Sequence, residues 1–342
     1  MTILAIETSC DETSVAIVRD GKDILSNVLL SQERVHGRFG GVVPELASRQ
    51  HLEVLDDLVI KAVKKASVGW KEIRGIAVTY GPGLIGALLV GVSYAKALAY
   101  ALDIPLLGVN HLEGHLFAPL FEYPEIKFPT VALIVSGGHT HLFLVKKVGI
   151  YKLLGKTRDD AAGEALDKGA RMMGLGFPGG PILDQLSSQG GTPKIDFPRA
   201  YLGPDSLDFS FSGVKTALRD YLGKNVYSKE ELENQLPDLA SSFLQAVVDV
   251  LVEKGLQAAK RSGVSQIVVG GGVSANSLLR KQMFQKGSEE RIDPFFPSPF
   301  LSTDNAGMVG LVGCYLFQKG IYSSFDLNPK ANLSLSEENL AF

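Results

Sequence analysis

The sequence predicts an α/β chain of two lobes, and three observations carry that expectation. Its 342 residues are enough for two domains of ordinary size, each with its own core. Short apolar runs enter polar or glycine-rich turns at three places along the chain. Two of those turns close strand hairpins that open the first and second halves, and the third leads from a strand into a helix.

The first hairpin pairs Ile3-Leu4-Ala5-Ile6 with Val15-Ala16-Ile17-Val18 across the polar turn Glu7-Thr8-Ser9-Cys10-Asp11-Glu12-Thr13-Ser14. Ser, Thr and Asp there satisfy local turn backbone. A helix over 44–66 follows, with a Leu46/Leu55/Leu58/Val59/Ala62 stripe that reads as core or as a partner face. The apolar region Leu84–Val109 is broken by Lys96 and Asp103, which argues for a buried helix and a strand rather than a membrane span. The second hairpin runs from Val131-Ala132-Leu133-Ile134-Val135 through Ser136-Gly137-Gly138-His139-Thr140 into Leu142-Phe143-Leu144-Val145. The third turn, Gly270-Gly271-Gly272-Val273-Ser274, follows Ile267-Val268-Val269 and precedes a helix-like stretch from Ala275 to Arg280. Glycines let backbone N–H groups approach an anion, and a helix start adds a second anion-binding element.

His111 and His115 stand four residues apart in Asn110-His111-Leu112-Glu113-Gly114-His115, so on a helix they share a face and can reach one metal. A capping or core histidine pair is the alternative. In the H-E-x-x-H arrangement of zinc proteases the Glu lies about 80° from the centre of the ligands; Glu113 would lie roughly 180° away, so a protease is disfavoured. The net charge of −3 and 45% apolar content exclude a disordered chain or a general basic coat. Local clusters remain, at Lys61, Lys64, Lys65, Lys71 and Arg74, and at Arg34, His36 and Arg38. Cys10 and Cys314 alone give no disulfide framework and fit a reduced cytoplasm, and no signal peptide is visible.

These turns resemble the duplicated, two-lobed actin-like, Hsp70-like and sugar-kinase-like ATPase fold. Within that fold the chain resembles the TsaD family, the tRNA N(6)-adenosine threonylcarbamoyltransferases, formerly labelled O-sialoglycoprotein endopeptidases. The likeness covers nearly the whole chain on ordered motifs: Glu-Thr-Ser-Cys-Asp-Glu-Thr at 7–13, Gly-Pro-Gly-Leu at 81–84, Asn-His-Leu-Glu-Gly-His at 110–115, Val-Ser-Gly-Gly-His-Thr at 135–140, Gly-Glu-Ala-Leu-Asp-Lys at 163–168, Pro-Gly-Gly-Pro at 178–181, Gly-Gly-Gly-Val-Ser-Ala-Asn at 270–276 and Thr-Asp-Asn-Ala-Gly-Met at 303–308.

The resemblance implies a metal held by His111, His115 and Asp304, with Fe(II) favoured and Zn(II) the alternative. Asp304 could equally cap the helix that follows it. It gives the nucleotide Ile134, Val135, Ser136, Gly137, Gly138, Asp167, Gly180, Asp184 and Asn276. Without the resemblance, Asp167 would be read as a helix-surface partner of Arg171. Some relatives have a tyrosine where this chain has Ile134, so a fourth protein ligand from there is in doubt, with His139 a nearby substitute. Asp11 is the candidate base. The lobes would be residues 1–109 with 305–342, and 110–304 carrying nucleotide and metal, with a central cleft between them. The implied activity moves threonylcarbamoyl from L-threonylcarbamoyl-adenylate to N(6) of adenosine 37 in tRNAs reading ANN codons. The implied partners are an actin-like paralogous subunit, a small ATPase subunit and a separate adenylate-forming enzyme, with no membrane. A sugar-type kinase or ATPase of the same fold, or a non-catalytic scaffold, are the rival readings. The histidine pair argues against the first and the retained polar positions against the second.

Overall fold

The computed structural model describes residues 1–335 apart from 191, 192, 204, 226 and 227. Strands β1 (Thr2–Glu7), β2 (Glu12–Arg19) and β3 (Asp23–Ser31) open the chain, followed by the short α1 (Glu33–His36) and the long α2 (Pro44–Ala66). β4 (Ile73–Gly81), α3 (Ile85–Leu102), β5 (Leu106–Asn110) and α4 (His111–Glu122) come next. Then follow β6 (Thr130–Val135), β7 (Thr140–Lys147), β8 (Ile150–Lys156), α5 (Ala162–Met172), α6 (Gly179–Gly190), α7 (Ser212–Lys224) and α8 (Lys229–Ser262). β9 (Gln266–Gly270), α9 (Ser277–Glu290), β10 (Asp293–Phe295), α10 (Pro299–Ser302) and α11 (Ala306–Gln318) complete it.

The chain divides into two compact units, Met1–Pro124 with Asp304–Leu335, and Glu125–Thr303. The expected division at residue 110 differs from this one, because α4 packs against α11 and so stays with the first unit. Residues 336–342 of the expected first lobe lie outside the described residues.

The first unit holds one five-stranded sheet in the order β3-β2-β1-β4-β5. β1 pairs antiparallel with β2 and parallel with β4, so it is central and fully buried, as a continuous apolar run requires. α2 and α3 pack together and against strands of this sheet, and α11 lies against β1, β2 and β4. α11 comes close because it has no side chain at Gly310 and Gly313: a Cβ there would stand 2.4 Å from Val18 and 2.5 Å from Ala77. The core takes Leu55, Leu58, Val59 and Ala62 from α2, so most of the stripe seen in the sequence is interior and Leu46 is only half-buried. The apolar side chains that α2 and α3 leave in solvent are others, Leu52, Ile60, Ile85, Leu89 and Tyr100. α3 is long and apolar enough to cross a membrane by length and composition (mean hydropathy 1.6). Its Ala87, Leu88, Val92, Ala95 and Ala99 are nonetheless buried in the first unit.

The second unit repeats the plan. Its sheet runs β10-β9-β6-β7-β8, with β6 antiparallel to β7 and parallel to β9. Val131, Leu133 and Val135 of β6 join a core that includes Leu166 of α5 and Phe243, Leu244 and Val247 of α8. The long α8 is started by a reciprocal cap in which Ser228 and Glu231 each accept the other's backbone N–H.

Candidate functional site

The histidine cluster lies wholly in the first unit. β5 ends at Asn110, whose Oδ1 accepts the Leu112 N–H at 2.9 Å and starts α4 at His111. His111 and His115 therefore share one face, with ring centroids 4.7 Å apart. At the other end of the chain it is Asn305, not Asp304, that caps α11, accepting the Met308 N–H at 3.0 Å. Asp304 instead faces the histidines, its Oδ1 3.0 Å from His115 Nε2 and 3.6 Å from His111 Nε2. Ligand atoms of His111, His115 and Asp304 all lie within 4.8 Å of one another, and His139 is not among them.

A second layer fixes the first. Glu7, the last residue of β1, places Oε2 3.3 Å from His111 Nδ1, and Ser9 Oγ stands 3.2 Å from the same nitrogen. Glu7 is itself held by the Thr79 hydroxyl and the Ser9 N–H, each donating at 2.6 Å. In its neutral form, the form a metal needs, His111 would carry its proton on Nδ1 toward Glu7 and leave Nε2 as the ligand nitrogen. Burial draws the His111 imidazole down, but Asp304 and Glu7 outweigh it and hold it up to about 9. Burial pushes Glu7 up, yet His111 beside it keeps its carboxyl below the usual range. His115 is fully buried, its Nδ1 has no hydrogen-bond partner, and its Nε2 approaches Asp304 without hydrogen-bond alignment. An imidazole in that state fits a ligand better than a packed core residue. Two histidines, one carboxylate and an outer carboxylate form a donor set that suits Fe(II) or Zn(II).

Glu113 points elsewhere. It is buried, and together with burial it pushes the Tyr80 and Tyr315 phenols up. The protease geometry is absent.

The first turn splits between support and chemistry. Thr8 donates to the Ala87 carbonyl at 3.0 Å and anchors α3. Burial, Asp11 and Asp304 raise the Glu12 carboxyl well above its ordinary value and do the same to the Cys10 thiol. Glu12 and Cys10 thus lie in the field of both Asp11 and Asp304. Glu7 escaped the sequence reading; the available signal was a single carboxylate ending an otherwise uncharged strand.

In the second unit the expected nucleotide residues form one connected set. The Ser136 N–H donates to the His139 carbonyl at 2.8 Å, and the His139 N–H to Ser136 Oγ at 3.2 Å, closing the β6–β7 turn. A Cβ on Gly137 or Gly138 would meet nothing within 4 Å, so that side of the turn is open. Ile134 and Val135 are fully buried in β6 and expose neither side chain nor backbone, so they stand behind the turn rather than on its open side. α5 begins on the turn, its Gly163 N–H donating to Ser136 O at 3.1 Å. Asp167 Oδ1 accepts the Gly179 N–H at 2.7 Å and ties α5 to the start of α6. At Gly180 a Cβ would find only Leu166 Cδ1, at 3.9 Å. Asp184 accepts from Ser277 twice, from its N–H at 2.9 Å and its hydroxyl at 2.7 Å. Asn276 caps α9, accepting the Leu279 N–H at 2.9 Å. The neighbouring Ser274 hydroxyl is buried without a partner, and Gly271 stands at φ +94° where a Cβ would be 2.3 Å from the Val135 carbonyl.

The comparisons with known proteins point to one family. The family model for tRNA N6-adenosine threonylcarbamoyltransferase matches residues 23–311. Proteins of that description from Clostridioides difficile (strain 630) and Syntrophotalea carbinolica are each 51% identical over 98% of both chains. Among solved structures, full-length HypF in its phosphate- and nucleotide-bound form aligns with a TM-score of 0.62 at 12% identity, covering 94% of this chain and 56% of that one. Component A of (R)-2-hydroxyglutaryl-CoA dehydratase from Acidaminococcus fermentans gives 0.56 at 15% identity, covering 93% and 98%. These two share the fold alone, an actin-like one. With the family model matched over residues 23–311 and relatives 51% identical over 98% of the chain, the chain belongs to the TsaD family of tRNA N6-adenosine threonylcarbamoyltransferases.

Proposed function

We propose that this protein transfers a threonylcarbamoyl group from L-threonylcarbamoyl-adenylate to N(6) of adenosine 37 in tRNAs reading ANN codons, releasing AMP. Family membership over nearly the whole chain supports the reaction, and one observation carries the chemistry: a buried two-histidine, one-carboxylate donor set backed by Glu7. Held by His111, His115 and Asp304, a divalent cation, Fe(II) before Zn(II), supplies Lewis-acid polarisation of a substrate oxygen.

The residues of the chain do the rest. Glu7 and Ser9 orient His111 so that its Nε2 faces the donor set. The open backbone at Gly137, Gly138 and Gly180, in the turn that Ser136 braces and with Asn276 at a helix start, receives the adenylate phosphate and base. Asp167 and Asp184 each have acceptor sites beyond the bonds already made, and accept ribose hydroxyls. The N(6) amine attacks the carbamoyl carbonyl, the bond to the phosphate oxygen breaks, and AMP leaves with that electron pair. The amine proton passes to the carboxylates of the first turn, Asp11 or Glu12 beside it. Because adenosine 37 sits in a single-stranded loop, no duplex has to open.

The enzyme works with partners. The exposed row of Leu52, Ile60, Ile85 and Leu89 on α2 and α3 suits an actin-like paralogous subunit, with a small ATPase subunit and a separate adenylate-forming enzyme completing the system. Free thiols at Cys10 and Cys314 suit the cytoplasm. Incubated with threonylcarbamoyl-adenylate, tRNA and partner subunits, the protein is expected to yield N(6)-threonylcarbamoyladenosine and AMP. It should neither phosphorylate a sugar nor cleave a glycoprotein. Mass spectrometry showing no threonylcarbamoyl group on the tRNA, with metal and partners present, would overturn the proposal.

A further inference from the structure

Charge is distributed very unevenly along this acidic chain. Residues 126–158 take six of its 34 basic residues, Lys127, Lys146, Lys147, Lys152, Lys156 and Arg158, and none of its 37 acidic ones. The fold gathers five of the six on one element. Lys146 and Lys147 end β7, Lys152 and Lys156 lie on β8, and Arg158 follows it; all five are exposed. β8 is the edge strand of its sheet.

Lysines elsewhere in the second unit are mostly spoken for. Lys194 pairs with Asp238 at 2.7 Å, Lys260 with Glu290 at 2.8 Å, and Lys168 with Glu164 at 2.9 Å. Arg158 of the edge pairs with Asp208 at 2.9 Å. Among the described residues Lys147, Lys152 and Lys156 have no carboxylate within 4.0 Å.

Their positions are ordered. Lys156 stands opposite His141, beside the β6–β7 turn, Lys152 opposite Leu144, and Lys147 opposite Ile150 at the far end of the hairpin. Six residues of β7 separate the first and last positions, roughly 20 Å at strand rise. The register sets Lys147 and Lys152 on one face of the hairpin and Lys156 on the other, so the ammonium groups are spread along the sheet edge, leading away from the glycine turn. Lysine is depleted in protein–protein interfaces, and Leu153 is the one exposed large apolar side chain on β8. Point charges spread along an edge with few apolar anchors match a ribose-phosphate backbone.

We propose that the β7–β8 edge, through Lys147, Lys152 and Lys156, docks the phosphate backbone of the tRNA whose adenosine is modified. The inference rests on tRNA being the substrate, and it is separable from the transfer chemistry because it is read by binding. The competing account is that these lysines only guard an exposed edge against strand pairing.

The test is tRNA binding by the full chain with its partner subunits across a salt series. Lys147→Glu/Lys152→Glu/Lys156→Glu should weaken tRNA binding by about tenfold or more. The slope of log affinity against log salt should fall by roughly 2, at about 0.7–0.9 for each phosphate no longer neutralised. AMP affinity and melting temperature should stay unchanged, and KM for tRNA should rise with kcat preserved at saturating tRNA. The matched reversal Lys61→Glu/Lys64→Glu/Lys65→Glu on α2 should leave the slope near that of the parent. Lys147→Gln/Lys152→Gln/Lys156→Gln should reproduce the loss without introducing repulsion. An unchanged slope in the edge variants, an equal loss from the α2 variant, or a glutamine variant that aggregates yet binds tRNA normally would each overturn the proposal.

Discussion

The two units share one sheet plan and differ in the turn at its centre. Each sheet has a central strand paired antiparallel with the strand after it and parallel with a later one: β1 with β2 and β4, β6 with β7 and β9. In the first unit the hairpin turn bears side chains, from Glu7 through Glu12, and Glu7 and Ser9 reach the His111 ring. In the second it is Ser136-Gly137-Gly138-His139, whose glycines present backbone to open space. One backbone plan thus carries two kinds of turn, one of side-chain donors and one of bare amides. Side-chain donors suit a cation and bare amides suit an anion, so the presence or absence of Cβ atoms at the turn sets which ligand chemistry each offers.

Breaking the first site should have the largest effect. His115→Ala is expected to lower metal affinity by more than about a hundredfold, since outer-layer partners alone are worth 10–100-fold. AMP affinity should stay within error of the parent. Elemental analysis showing full metal occupancy in His115→Ala would remove the assignment.

The second site can be broken through its backbone. Gly271→Ala must place a Cβ at positive φ and against the Val135 carbonyl, so it should cost about 2–4 kcal/mol by strain and overpacking. Gly138→Ala has room and should keep the parental melting temperature while weakening AMP binding. Equal melting temperatures for the two variants would contradict the geometry.

A side chain of the second unit offers a finer cut. Asp167→Ala should weaken AMP or ATP binding by about 1.5–3 kcal/mol, the range for a hydrogen bond to a charged group, with metal content unchanged. Calorimetry giving parental affinity would return Asp167 to a purely structural role at the start of α6.

A last cut is a pH dependence confined to the first unit. With its pKa raised from 6.5 to about 9 by Asp304 and Glu7 against the pull of burial, protonated His111 stabilises the metal-free fold below pH 6.5. That contribution is lost as pH rises through about 9, whereas metal binding needs the neutral ring and strengthens by up to about tenfold per pH unit over the same window. Melting temperature of chelator-treated protein and metal affinity should therefore run in opposite directions. Parallel trends would sever His111 from the donor set.

Much of this was legible in the residues, for physical reasons that differ by element. The hairpins follow from short apolar runs bounded by turn residues, and the His111/His115 face follows from helical period alone. Asp304 needed the family motif, because a cap and a ligand use the same carboxylate; in the fold it is Asn305 that takes the cap. Glu7 was hidden because its partner is 104 residues away. The α2 stripe illustrates another limit: Leu55, Leu58 and Leu52 look alike in sequence, and packing against the sheet buries the first two and leaves Leu52 73% exposed. The lobe division at 110 misses α4 because local pattern cannot show that α11, nearly 200 residues on, claims it.

That return of the chain has a consequence for synthesis. The first unit is made of two stretches, and α11, with its close-packed Gly310 and Gly313, arrives only after the whole second unit has left the ribosome. Until then β1, β2 and β4 lack the helix that seals one of their faces, and two histidines wait for their carboxylate. Folding proceeds from the N-terminus as chains emerge, so the nascent first unit presents apolar surface for the time taken to translate about 180 residues. The protein should lean on chaperones during that interval, and metal loading should be an event of the finished chain.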